Sequence, residues 1–420
     1  MKKLLVAVLI SVLAVSAFAG GGKDKAGGKV SLTVWHIWAS DTESSKAPFE
    51  NAVKSFQAEH PEINLIIDAT ENEAYKTKIR STIAAGEAPD IFFYWSGARM
   101  KDFVDAGALL PLNSYLDADT KSRILSGTLD NMTFNGNVYG LPNSMLTGTF
   151  FANEELFAQN GLKVPTNWDE LVSVCQAFIA KGITPLTVGA KEGWCIASYM
   201  DLLILRQAGL DGTTALLNKT ANYAGNADFI EAGRKLQQLV SMGAFPKGSL
   251  GISRDEAEVP FYEGKVPMYV NGSWTIGNVV RPDSKIKDKV KIYHFPITGP
   301  KGSVNDFTGG VSDMFSVSSR TKYPAEAALA VKYITEHMSA NMYTSGAGLP
   351  TWAVKVDESK IDPLTKRLVE MTQSAKSYTL WWDSSLEAAD AQVYLNNLTA
   401  LFAGQINPEQ FATVMQGIKK

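Results

Sequence analysis

The first third of the chain alternates extended and helical signals, and that alternation constrains the fold more than any other feature. Val30 to Ile37 is β-branched with period-two spacing, and Pro48 to Glu59 places Phe49, Val53 and Phe56 on one helical face. Ile63–Asp68 is again extended, and Tyr75–Ala85 is a helix stopped by Gly86. Pro89-Asp90 then punctuates the chain, and Ile91-Phe92-Phe93-Tyr94 is the short apolar run of a buried strand. A helix through Met100, Phe103 and Val104 follows. The pattern β-α-β-α-β-α predicts a mainly parallel sheet with helices on both faces, an α/β fold.

Further strands are expected at 148–153, 183–188, 266–270, 292–295 and 314–317, with mainly helical sequence between 199 and 242 and in the last 60 or so residues. A chain of 420 residues is long enough for two domains. No internal repeat is present. Charged residues are 20% and the net charge is −3, so a globular chain is expected, with no basic surface that calls for nucleic acid.

Ligands bind open α/β sheets at the carboxyl ends of strands. Several expected strand exits here carry a ring or a carboxylate beside flexible backbone: Trp38, Trp95-Ser96-Gly97, Gly193-Trp194, Gly272-Ser273-Trp274 and Gly309-Gly310 leading to Asp313. Trp381-Trp382-Asp383 interrupts a helical region in the same style. Indole faces bury the apolar C–H faces of sugars, and Asp or Glu side chains accept from hydroxyls. On residue type alone, Trp38, Trp95, Trp194, Trp274 and Trp382 serve equally as core rings or ligand platforms. Asp313 and Asp383 serve equally as caps or surface charge. Trp35 and Trp168 read as structural, and Trp352 fits either role.

Enzyme signatures are weak. The chain has no H-E-x-x-H, no G-x-S-x-G and no P-loop, and His36, His60, His294 and His337 lack metal-ligand spacing. Residues 1–19 form an export signal: Lys2-Lys3, an apolar core from Leu4 to Val15, and Ala17-Phe18-Ala19 as cleavage site. Gly20 to Gly28 is a glycine-rich flexible linker. The signal points to a bacterial periplasmic or extracellular protein. Cys175 and Cys195 are open to a disulfide or to buried free thiols.

The chain resembles the extracellular solute-binding proteins of bacterial ABC importers, in the sugar-binding group that includes maltose-binding protein. The resemblance rests on ordered segments that span the mature chain. They are Leu32-Thr-Val-Trp-His-Ile-Trp38, Tyr75-Lys-Thr-Lys-Ile79, Ala85-Gly-Glu-Ala-Pro-Asp-Ile-Phe92, Gly107-Ala-Leu-Leu-Pro-Leu112 and Asn135-Gly-Asn-Val-Tyr-Gly-Leu-Pro142. Further ones are Phe150-Phe-Ala-Asn-Glu-Glu-Leu156, Pro165-Thr-Asn-Trp-Asp-Glu-Leu171, Asn271-Gly-Ser-Trp274 and the Gly-Gly…Asp313 stretch.

The resemblance implies a two-lobe periplasmic binding protein fold, with mixed, mainly parallel sheets flanked by helices and a hinge of two or three crossings. Expected crossings are near Leu141, Val270 and Val317. Lobe 1 is then 29–141 plus 271–317, and lobe 2 is 142–270 plus 318–420. The implied ligand residues are Trp38, Glu43, Trp95, Trp194, Trp274, Asp313, Trp382 and Asp383, with Asn72 and Glu73 as weaker candidates. The implied function is capture of a mono- or oligosaccharide and delivery to ABC permease subunits by a monomer, with no cofactor and no catalytic or metal residues. Rivals are a receptor for a polyamine or glycerol phosphodiester, and a secreted glycosidase. Many relatives carry a lipid-anchoring Cys; none follows this signal, so a soluble periplasmic form is expected.

Overall fold

The computed structural model describes residues 29–375 and 378–418. The signal and linker expected over 1–28 therefore lie outside the described residues. The strands are β1 (Val30–His36), β2 (Ile63–Ala69), β3 (Ile91–Trp95), β4 (Thr133–Phe134), β5 (Asn137–Val138), β6 (Leu141–Asn153), β7 (Leu186–Thr187), β8 (Met268–Gly272), β9 (Val290–Tyr293), β10 (Phe307–Val317) and β11 (Tyr378–Thr379). β1 pairs in parallel with both β2 and β3, with Val34 opposite Ile67 and Ile91. The helices Lys46–Glu59 and Asn72–Ala85 form the intervening connections. Ile91 through Tyr94 are all buried, as a strand covered on both faces requires.

β10 adds antiparallel to β3, and β6 adds antiparallel to β10. β6 then changes neighbours. Its first half, Leu141–Thr147, pairs with β10, and its second half, Gly148–Asn153, pairs with β8 and β9. β6 and β10 thus pass between two hydrophobic cores. One core holds Leu32, Phe49, Phe92 and Phe315. The second holds Phe150, Leu203, Phe229 and Tyr394. A further cluster, with Phe151, Ile276, Ile292 and Leu368, covers the other face of the second sheet. Adjacent Phe150 and Phe151 enter different clusters because neighbouring side chains on a strand point to opposite faces.

Both crossing strands are longer than their sequence suggests. Pro142 and Gly309-Gly310 read as breaks, yet they lie within β6 and β10. The β10 ladder with β6 shifts register between Gly310 and Asp313, and an irregular ladder accommodates glycine.

The expected lobe boundaries need two corrections. The helix Pro324–Ser345 belongs with the first core, where Ala327, Val331, Ile334 and Met338 pack with Phe49 and Phe56. The C-terminal end of β10 joins β3, and a short connection keeps the next helix on that sheet. Conversely, Ile276, Val279, Ile286, Val290 and Ile292 pack beside Phe151 and Tyr269 of the second sheet. They lie between β8 and the end of β9, and both of these strands pair with the second half of β6. The chain passes again between Trp352, in the first core, and Ile361, in the second.

Candidate functional site

The cavity between the two lobes has a volume of about 880 Å³ including its open mouth. On the first lobe, Trp95 ends β3 and faces it. Its ring meets Tyr75 and Phe93 edge-on. The Arg99 guanidinium lies 5.0 Å and the Lys76 ammonium 5.6 Å from the ring centroid. Both cations line the cavity, as does Asn72, whose Oδ1 is buried without a hydrogen-bond partner. Gly97 follows with φ 84°, and a Cβ there would stand 2.6 Å from the Ser384 carbonyl oxygen of the second lobe. Only glycine permits both that backbone and that approach.

The second lobe presents a row of rings. Trp194 lies in the first turn of the helix Gly193–Leu217, Trp274 follows β8, and Trp381 precedes the short helix Trp382–Ser385. Ring centroids are 6.2 Å apart from Trp194 to Trp274 and 6.3 Å from Trp274 to Trp381. The Trp274 ring folds back over its own strand. A Cβ at Gly272 would lie 1.8 Å from it, so the Gly-Ser-Trp order is a packing requirement.

Four carboxylates border the same space. Glu43 pairs with Arg254 at 2.6 Å, and Asp383 with Arg99 at 3.1 Å. Each pair joins one lobe to the other. The side chains of both pairs are only 12–15% exposed, so screening is weak. Asn278 also donates across the cleft to the Thr42 carbonyl at 2.8 Å. Among the described residues, Asp313 has no cation partner. It accepts from Ser312 Oγ at 3.0 Å, and burial, with Asp383 and Glu43 nearby, pushes its carboxyl up to about 7. Burial also pushes Asp201 up to about 8, although Tyr394 O–H and the Trp382 amide donate to it.

Of the residues singled out from sequence, Glu43, Trp95, Trp194, Trp274, Asp313 and Asp383 meet at this cavity, and Trp38 borders it. Trp38 is only 3% exposed and packs on Phe49 and Phe93, so it is mainly a core ring. Trp382 needs correction. It is fully buried in the second core against Tyr223, Phe229 and Tyr394, and its neighbour Trp381 lines the cavity instead. At a helix start successive side chains point in quite different directions, so only one of two adjacent indoles can face the cleft. Glu73 pairs with Lys76 at 2.5 Å and does not line the cavity.

Sequence reasoning missed Lys76, Arg99, Asp201 and Arg254. Lys76 had one usable signal, its i, i+4 spacing from Asn72 on one helix face. Cys175 and Cys195 are both buried free thiols, and burial pushes Cys175 up to about 12.

Rings set beside acceptors and donors suit a neutral ligand with apolar faces and a hydroxylated rim. Residues 38–340 match the family described as bacterial extracellular solute-binding protein. A solved structure from work on xylan utilization by the thermophilic bacterium Caldanaerobius polysaccharolyticus is 37% identical, with a TM-score of 0.88, and the match covers 92% of this chain and 99% of that one. A chitin oligosaccharide binding protein is 28% identical with a TM-score of 0.84, over 93% of this chain and 98% of that one. The multiple sugar-binding protein of Streptococcus mutans is 26% identical over 80% of each chain.

Proposed function

Starting from the fact that the chain belongs to the bacterial extracellular solute-binding proteins, we propose that it captures a sugar between its lobes and delivers it to ABC permease subunits. The row Trp194–Trp274–Trp381, facing Trp95 across a cavity with four carboxylates, carries this reading. Each ring covers an apolar sugar face, and Asp313, Asp383 and Asn72 take hydroxyl hydrogens. The relatives named for sugars support the same ligand class. A polyamine receptor would leave several ionised carboxylates free for the ligand cations, whereas Glu43 and Asp383 already hold Arg254 and Arg99 and burial favours the neutral forms of Asp313 and Asp201.

The mechanism is closure. A sugar seated on one lobe gains its second set of contacts only when the other lobe arrives, so binding shifts the population towards the closed form. No bond is made or broken. Both walls come from one chain, which fits a monomer acting outside the cytoplasmic membrane. Native mass spectrometry with added oligosaccharides tests the reading. A 1:1 complex from which the sugar is recovered intact is expected. Recovery of shortened sugars would assign the cleft to hydrolysis instead, the outcome expected of a glycosidase.

A further inference from the structure

Glu192 occupies the N-cap position of the helix Gly193–Leu217, yet its side chain caps nothing there. Acidic caps ordinarily accept from amides of the first turn. This carboxylate turns to two other donors. Oε2 accepts from the Trp194 indole N–H at 3.0 Å, and Oε1 accepts from the Arg254 backbone N–H at 2.8 Å. Trp194 is the end ring of the second lobe's row. Arg254 is the side chain that reaches Glu43 on the first lobe. Beside these bonds, the Lys191 amide donates to the Ile252 carbonyl at 3.2 Å, so the two segments meet backbone to backbone. Glu192 itself does not line the cavity.

We propose that Glu192 is a positioning residue that couples the ring wall to the ion pair across the cleft. One carboxylate fixes both the plane of Trp194 and the backbone from which Arg254 crosses to Glu43. Seating a ligand on Trp194 and closing the cleft through Arg254 then favour one another, a coupling between two contacts rather than a contact in itself. The inference rests on the sugar reading of the cleft, but it adds a residue that touches no sugar.

The test is a double-mutant cycle on sugar affinity with Glu192→Ala and Trp194→Phe. Phenylalanine keeps a ring but removes the indole donor. Glu192→Ala is expected to weaken sugar binding roughly tenfold. Trp194→Phe is expected to cost much less in the Glu192→Ala background than alone, because the shared bond is already gone. Glu192→Gln, with one carbonyl acceptor retained, is expected to recover part of the loss. Near-ultraviolet circular dichroism without sugar gives an independent reading, and the indole bands are expected to change in Glu192→Ala. Unchanged affinity together with unchanged indole bands in a folded Glu192→Ala protein would overturn the inference, and so would strictly additive losses. If the unsubstituted protein binds no sugar, the reading of the cleft fails and this coupling fails with it.

Discussion

The two walls of the cleft are built differently. The second lobe offers three rings in contact with one another, Trp194, Trp274 and Trp381. The first lobe offers the half-buried ring of Trp95, flanked by Lys76 and Arg99, with the buried Asp313 carboxyl nearby. The second lobe's wall is mostly apolar area, and the first lobe's wall mostly charge and hydrogen bonding. Apolar area holds a ligand face without fixing its hydroxyl pattern, whereas charged groups demand partners. Most of the affinity is therefore expected from the ring row, and hydroxyl recognition and closure from the other wall and its ion pairs.

The largest effect expected is on stability. Trp382→Ala removes a fully buried ring from the second core and should cost about 3–5 kcal/mol in denaturant unfolding, while the affinity of the folded fraction stays within about twofold. Trp381→Ala should do the reverse. An affinity loss from Trp382→Ala alone would return that residue to the cleft. Next, Trp274→Ala removes the middle of the row and should weaken sugar binding about a hundredfold, roughly 2.7 kcal/mol, by calorimetry. Trp95→Ala should cost less, about tenfold. A larger loss at Trp95 than at Trp274 would break the asymmetry between the walls.

The smallest effect expected is protonic. The folded Asp313 carboxyl titrates at about 7, above its ordinary 3.8. Between those values the folded protein holds a proton that the unfolded chain does not, so this group lowers stability as pH rises through that window. Asp313→Asn should flatten the fall in thermal midpoint from pH 5 to pH 7 relative to the unsubstituted protein. Sugar hydroxyls that donate to Asp313 favour its ionised form, so binding near neutral pH should release a fraction of a proton. Calorimetry in buffers of different ionisation enthalpy measures that fraction. Proton uptake would reverse the role assigned to Asp313.

Much of this arrangement was legible in the chain because strand exits have local signatures. Trp95 follows a four-residue apolar run, and Trp274 follows an Asn-Gly-Ser strand exit, so neither needed a partner segment to be found. Arg254 and Arg99 were not legible, because what distinguishes them is a carboxylate hundreds of residues away, Glu43 in one case and Asp383 in the other. The choice between Trp381 and Trp382 turned on about one residue of rotation at a helix start, which composition does not report. The helix Pro324–Ser345 shows the same limit at the scale of a domain. Its apolar face is plain, but which sheet it covers depends on the direction in which β10 crosses.

The most direct test of the central claim is a calorimetric titration of the protein with neutral mono- and oligosaccharides beside a polyamine and a glycerol phosphodiester. Saturable 1:1 binding of at least one sugar is expected, with no binding of the charged solutes. Binding of a charged solute with no response to any sugar would contradict that claim.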